Sequence, residues 1–152
     1  HIFVVDEEGR MYLQQRQADK DQYPGHWDSA AAGHLEPGES YETAAQRELQ
    51  EELGLTGTLR LVTEVPASAA TGWEQVRLYE YQTAQEPQPN PVEVLDGAFL
   101  TLPEIEEMLS QPDFPVTPAF RLLYNLWRRQ EKGQKNNFAD PQPDLCYNNL
   151  KL

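Results

Sequence analysis

The chain has 152 residues, 39% of them hydrophobic and 24% charged, which is enough for one domain with a real core. A formal net charge of −13 argues against non-specific binding to a nucleic-acid backbone, and no apolar run approaches the roughly 20 residues of a membrane span. The single cysteine, Cys146, excludes an internal disulfide and suits a reducing, cytoplasmic location.

The chain opens on His1 inside an apolar stretch, which reads as a trimmed N-terminus; no signal peptide is visible. Residues 1–5 predict a strand and 6–9 a turn. Residues 10–16 predict a second strand, with Met11 and Leu13 on one face. Residues 17–29 are a polar loop around Pro24-Gly25. Ala30, Ala31 and Ala32 suggest a tightly packed strand leading to Gly33.

After the turn Glu36-Pro37-Gly38, Ser40 is the expected N-cap of a helix from Tyr41 to Leu53. Gly54 suits the left-handed position just past its end, letting Leu55 fold back onto Leu49. Tyr41, Ala45, Leu49 and Leu53 form an apolar arc. Glu48 and Glu52 fall at the edge of that arc, within roughly 60° of Tyr41. Further strands are expected at 58–65, 75–83 and 94–100, the last after the proline-rich stretch 86–91. Pro103 starts a short helix to Leu109, and 116–129 predicts an amphipathic helix with Phe120, Leu123 and Trp127 on one stripe. The expected domain is residues 1–132. Residues 133–152 read as a tail that Phe138, Leu145, Tyr147 and Leu150 could dock. No internal repeat is visible. Strands and helices without regular alternation imply an α+β arrangement, a mixed sheet flanked by helices.

The helix expected from Tyr41 to Leu53 carries the chemistry. Glu48, Glu51 and Glu52 stand at i, i+3 and i+4 on one side of it, beside Arg47. Like charges so placed repel by roughly 0.2–0.5 kcal/mol per exposed pair. A hard divalent cation with oxygen ligands converts that repulsion into binding. An ordinary acidic surface helix would pair glutamates with lysines, and this one has none. These three glutamates are therefore the expected ligands of Mg²⁺ or Mn²⁺. Such an ion would polarise a diphosphate and lower the pKa of a bound water. One of the three is also a candidate base.

The spacing Gly33, Glu39, Arg47-Glu48, Glu51-Glu52, Gly54-Leu55 matches the Nudix box at every defining position. The chain thus resembles a Nudix hydrolase, with weaker echoes over most of residues 1–131. The resemblance implies an alpha/beta/alpha sandwich and hydrolysis of a nucleoside diphosphate linked to another moiety. It also implies a metal bond from the Gly33 carbonyl, an Arg47 that orients a glutamate, and specificity set by loops outside the box. Glu39 supports the site through water or structure. Glu93 is a candidate general base outside the box; a surface glutamate before a strand is the competing reading. Trp27, Trp73, Tyr79 and Tyr81 could stack on a flat substrate group. For the tyrosines a place in the core is the better reading, and Trp73 is the more plausible pocket residue. Arg16 and His26 flank the loop before the box and have either phosphate-reaching or surface roles.

A narrower resemblance lies in Tyr12-Leu-Gln-Gln-Arg16 and Tyr23-Pro-Gly-His-Trp-Asp28, with Phe114-Pro-Val-Thr-Pro118. It is to Nudix proteins related to isopentenyl diphosphate isomerase. Those isomerases carry a reactive cysteine, then Ser-His. Here the stretch is Ala32-Gly33-His34, and a methyl group cannot move a proton. The expected activity is Mg²⁺-dependent hydrolysis of a diphosphate bond in a small molecule. Isomerase-like activity and a non-catalytic nucleotide-binding module are the alternatives. A homodimer is possible through exposed strands or the last helix.

Overall fold

The computed structural model describes residues 1–138, with side chains to residue 133. Six strands form one mixed sheet: β1 (Ile2–Asp6), β2 (Met11–Arg16), β3 (Trp27–Asp28), β4 (Arg60–Val65), β5 (Val76–Thr83) and β6 (Val94–Leu100). The order is β3-β2-β1-β5-β4, and β6 also pairs with β2. Because β6 pairs with β2 from Met11 to Arg16, β1 and β3 share its other edge. β1 and β5 run parallel, and every other pairing is antiparallel. Three helices flank the sheet: α1 (Tyr41–Leu53), α2 (Leu102–Ser110) and α3 (Pro118–Phe138).

Side-chain alternation along β1 explains the layers. Ile2 and Val4 point to one face, where Ala45, Leu49 and Leu53 of α1 cover them with Tyr12, Tyr79 and Tyr81. Phe3 and Val5 point to the other, under Ile105 of α2 and Phe120, Leu123 and Trp127 of α3. This is the alpha/beta/alpha sandwich with a mixed sheet that the box implies. Tyr79 and Tyr81 are buried, so these two stacking candidates are core residues. Trp27, partly buried, packs against the α2/α3 side of the core.

The ends of α1 are sharply defined. Ser40 accepts a hydrogen bond from the Thr43 amide at 3.2 Å. Gly54 takes φ 65°, and its N–H bonds the Gln50 carbonyl. A Cβ added there would meet Gln88 only at an ordinary 3.6 Å. The expected cost of Gly54→Ala is therefore almost purely conformational, about 1 kcal/mol in a urea unfolding curve.

Four details differ from expectation. The supposed polar loop 17–29 contains β3, and a two-residue strand shows no alternation to read. Ala30–Ala32 form no strand; Ala31 makes a single bridge to Ile2. A 3₁₀ turn, Ala69–Thr71, lies between β4 and β5. α3 also continues past Arg129 to Phe138, so residues 133–138 of the expected tail are helical. Leu145, Cys146, Tyr147 and Leu150 lie outside the described residues. No described helix is long and apolar enough to cross a membrane.

Candidate functional site

The site lies where the last two turns of α1 meet the segment after β3. Glu48 is seated against Gly33, so closely that a Cβ on Gly33 would overlap its carboxylate. Glu52 is only 6% exposed, beneath the same segment. Gln14 of β2 donates to Glu52 Oε2 at 2.6 Å, and the Ala32 amide donates to Oε1 at 3.3 Å. Burial pushes the Glu52 carboxyl up to about 7, against those two donors, and the charges of Glu48 and Glu93 add to the rise. Glu51, one turn on from Glu48, keeps 58% of its side chain in water.

Arg47 ties this face together. Its Nε and one terminal nitrogen grip Glu39 in a fork, both bonds 3.0 Å. The same terminal nitrogen donates to the His34 carbonyl at 3.0 Å. The other donates to Glu48 at 2.7 Å and reaches Glu51 at 3.4 Å. Donating to Glu39 and Glu48 raises the guanidinium pKa further. Glu39 also accepts from the Glu36 amide, so it anchors both Arg47 and the turn before the helix.

The proline-rich loop brings Glu93 close. Its Gln88 and Asn90 amides donate to the Leu53 and Glu52 carbonyls, each at 2.8 Å. Glu93 pairs with Lys20 at 2.5 Å, and Gln17 donates to the Pro91 carbonyl at 2.7 Å. Arg16 and His26 serve the facing loop. Arg16 donates to the Gln22 carbonyl and lies 3.8 Å from Asp28, and His26 Nδ1 is 3.0 Å from the Pro24 carbonyl. Gln14 and Lys20 were not among the sequence candidates. Gln14 had a readable signal: it shares the face of buried Tyr12, and a polar side chain in that register needs a partner.

Three carboxylates on one helix face, one of them too buried to ionise easily by itself, suit a hard divalent cation that would stabilise the charged forms. Among the described residues no three acids already converge on one point. Arg47 fills part of that space, as an internal cation between Glu48 and Glu51. Rotation of these two side chains off Arg47 would let Glu48, Glu51, Glu52 and the Gly33 carbonyl hold Mg²⁺ or Mn²⁺.

Comparison with known proteins establishes the family. The Nudix domain model matches residues 1–120. The chain belongs to the Nudix family. Its similarity extends to an isopentenyl-diphosphate Delta-isomerase of Streptomyces griseus, 37% identical over 120 residues, 74% of this chain and 61% of that protein. An uncharacterised Nudix hydrolase of Listeria monocytogenes is 35% identical over 134 residues, 83% of this chain and 76% of its own length. The crystal structure of DR0079 from Deinococcus radiodurans superposes with a TM-score of 0.73 at 23% identity, covering 85% of this chain and 79% of that one. The isomerase-like branch of the Nudix family, suggested by residues 12–16 and 23–28, is thus seen in the relatives too. The chain spans only 61% of the length of the Streptomyces isomerase.

Proposed function

We propose that this Nudix protein hydrolyses a diphosphate bond in a small-molecule substrate, with Mg²⁺ or Mn²⁺ held by Glu48, Glu51 and Glu52. The observation that carries the reading is the seating of Glu48 on Gly33 beside the buried Glu52. The bound ion would supply Lewis-acid polarisation of the phosphates and a more acidic water. The chain's own groups do the rest. Arg47 and Glu39 hold the segment around His34 against α1. Gln14 fixes the orientation of Glu52. As water attacks phosphorus and the bridging P–O bond breaks, Glu52 or Glu93 accepts the proton.

Isomerisation of an isoprenoid diphosphate is the competing reading, because relatives bear that name. Ala32 speaks against it: its amide contacts Glu52, and its side chain is a methyl where those enzymes carry the reactive cysteine. A panel of nucleoside diphosphate sugars, dinucleotides, dinucleoside polyphosphates, coenzyme A, nucleoside triphosphates and isopentenyl diphosphate, with and without Mg²⁺, tests both by product mass. The expected products are those of pyrophosphate-bond cleavage. Dimethylallyl diphosphate would favour isomerisation, and binding without turnover a nucleotide-sensing module.

Gly33→Ala should separate site from scaffold. The added methyl meets the Glu48 side chain first, from its carboxylate back to Cγ, and must displace it. Hydrolysis is expected to fall by roughly 10–100-fold, since small misplacements of reacting groups have effects of that order. Circular dichroism should be unchanged.

A further inference from the structure

Trp73 is the most exposed large apolar side chain among the described residues, at 75%. Its two fellow tryptophans, Trp27 and Trp127, pack in or against the core. Its backbone sits in the left-handed region at φ 65°, directly after Gly72 at φ 64°. For a residue with a Cβ this conformation is unfavourable by roughly 1–2 kcal/mol. The loop imposes it. The Ser68 amide bonds Thr71 Oγ1 at 2.9 Å, and the Trp73 amide bonds the Ser68 carbonyl at 2.7 Å. A strained backbone that holds an indole in water gains nothing for the fold.

The loop is tethered to the candidate site. Glu74, the next residue, meets His34 Nε2 at 2.9 Å. His34 follows Gly33, and its carbonyl is held by Arg47. The loop that carries the indole is thus tied, through Glu74, to the segment bearing Gly33.

Its surroundings narrow what it could contact. Its sequence neighbours Gly72, Glu74 and Gln75 are exposed and small or polar. A hydrocarbon tail would gain from enclosure in an apolar cavity. One open aromatic face suits one planar ring.

We propose that Trp73 is a specificity-determining residue, a stacking platform for a planar heteroaromatic group carried on the substrate's diphosphate. This rests on the hydrolytic reading of the adjoining acids. Two measurements test it. In the first, wild type, Trp73→Ala and Trp73→Phe are assayed with Mg²⁺ on a nucleoside diphosphate sugar and on a prenyl diphosphate. Trp73→Ala should raise KM for the ring-bearing substrate about 10-fold with kcat nearly unchanged, as loss of one base stack implies. Trp73→Phe should restore most of the difference, and the prenyl diphosphate should not respond. An unchanged KM, or an equal rise for both substrates, would overturn the proposal. In the second, AMP is titrated against tryptophan fluorescence without metal. Quenching in wild type that disappears in Trp73→Ala supports the platform even if no substrate turns over; no quenching in wild type refutes it.

Discussion

Glu52→Gln should lower metal-dependent hydrolysis by roughly 10³-fold, the scale seen when a group that stabilises developing charge is lost. The fold should survive. Glutamine nearly matches the volume of glutamate, and its oxygen can still accept from Gln14 or Ala32. One of those two donors then faces an NH₂ group, at a cost of about 1–2 kcal/mol. Loss of the burdensome buried carboxyl offsets part of it. Glu51→Gln should impair hydrolysis comparably with almost no effect on stability, because that side chain is 58% exposed. Binding of Mg²⁺ should raise the melting temperature of wild type and much less that of either variant. Retained turnover in Glu52→Gln, with circular dichroism unchanged, would remove the basis for assigning the acids to catalysis.

The second large effect is on stability and lies on the opposite face of the sheet. Glu80 of β5 is 6% exposed and accepts from Trp127 Nε1 at 2.6 Å, Arg60 at 2.9 Å and Gln82 at 2.9 Å. Burial alone would raise its pKa, but the bonds from Trp127, Gln82 and Arg60 outweigh it and hold the carboxyl below 4.5. Glu80→Ala orphans the buried Trp127 N–H and loosens α3 from the sheet. We expect a loss of about 3 kcal/mol in chemical denaturation, at the low end for a broken buried pair because Arg60 remains half exposed. The loss should depend on pH in a definite direction. A carboxyl whose folded pKa is lowered stabilises the fold at pH values above its unfolded pKa. That contribution disappears as pH falls through the folded pKa. The gap between wild type and Glu80→Ala should therefore be full near neutrality and shrink below pH 4.5. A constant gap across that range would show that packing, not ionisation, sets the cost.

The helix bearing the acids was legible to the residue. Ser40 and Gly54 are strong local signals, and the apolar arc between them is long enough to show its period. The strand at 94–100 was equally clear. What escaped was non-local. Nothing in a linear reading says that β1 runs parallel to β5, or that β6 lies along β2. The polar end of α3 has no apolar stripe, so its run to Phe138 had no periodicity to betray it. At the site the acids and Arg47 were readable because one helix displays them all. The fork between Arg47 and Glu39 was only hinted at, and Gln14 and Lys20 were missed. Their partners, Glu52 and Glu93, lie 38 and 73 positions along the chain.

The docking of the 86–93 loop onto α1 also bears on how such a protein can diversify. No basic residue sits in the last turn of that helix, and backbone amides from the loop occupy its terminal carbonyls instead. An insertion or deletion between Gln88 and Asn90 would unzip that seam and let the turn bearing Glu51 and Glu52 fray. A change of length at 66–68, which makes no hydrogen bond to the helix end, would leave those terminal carbonyls capped.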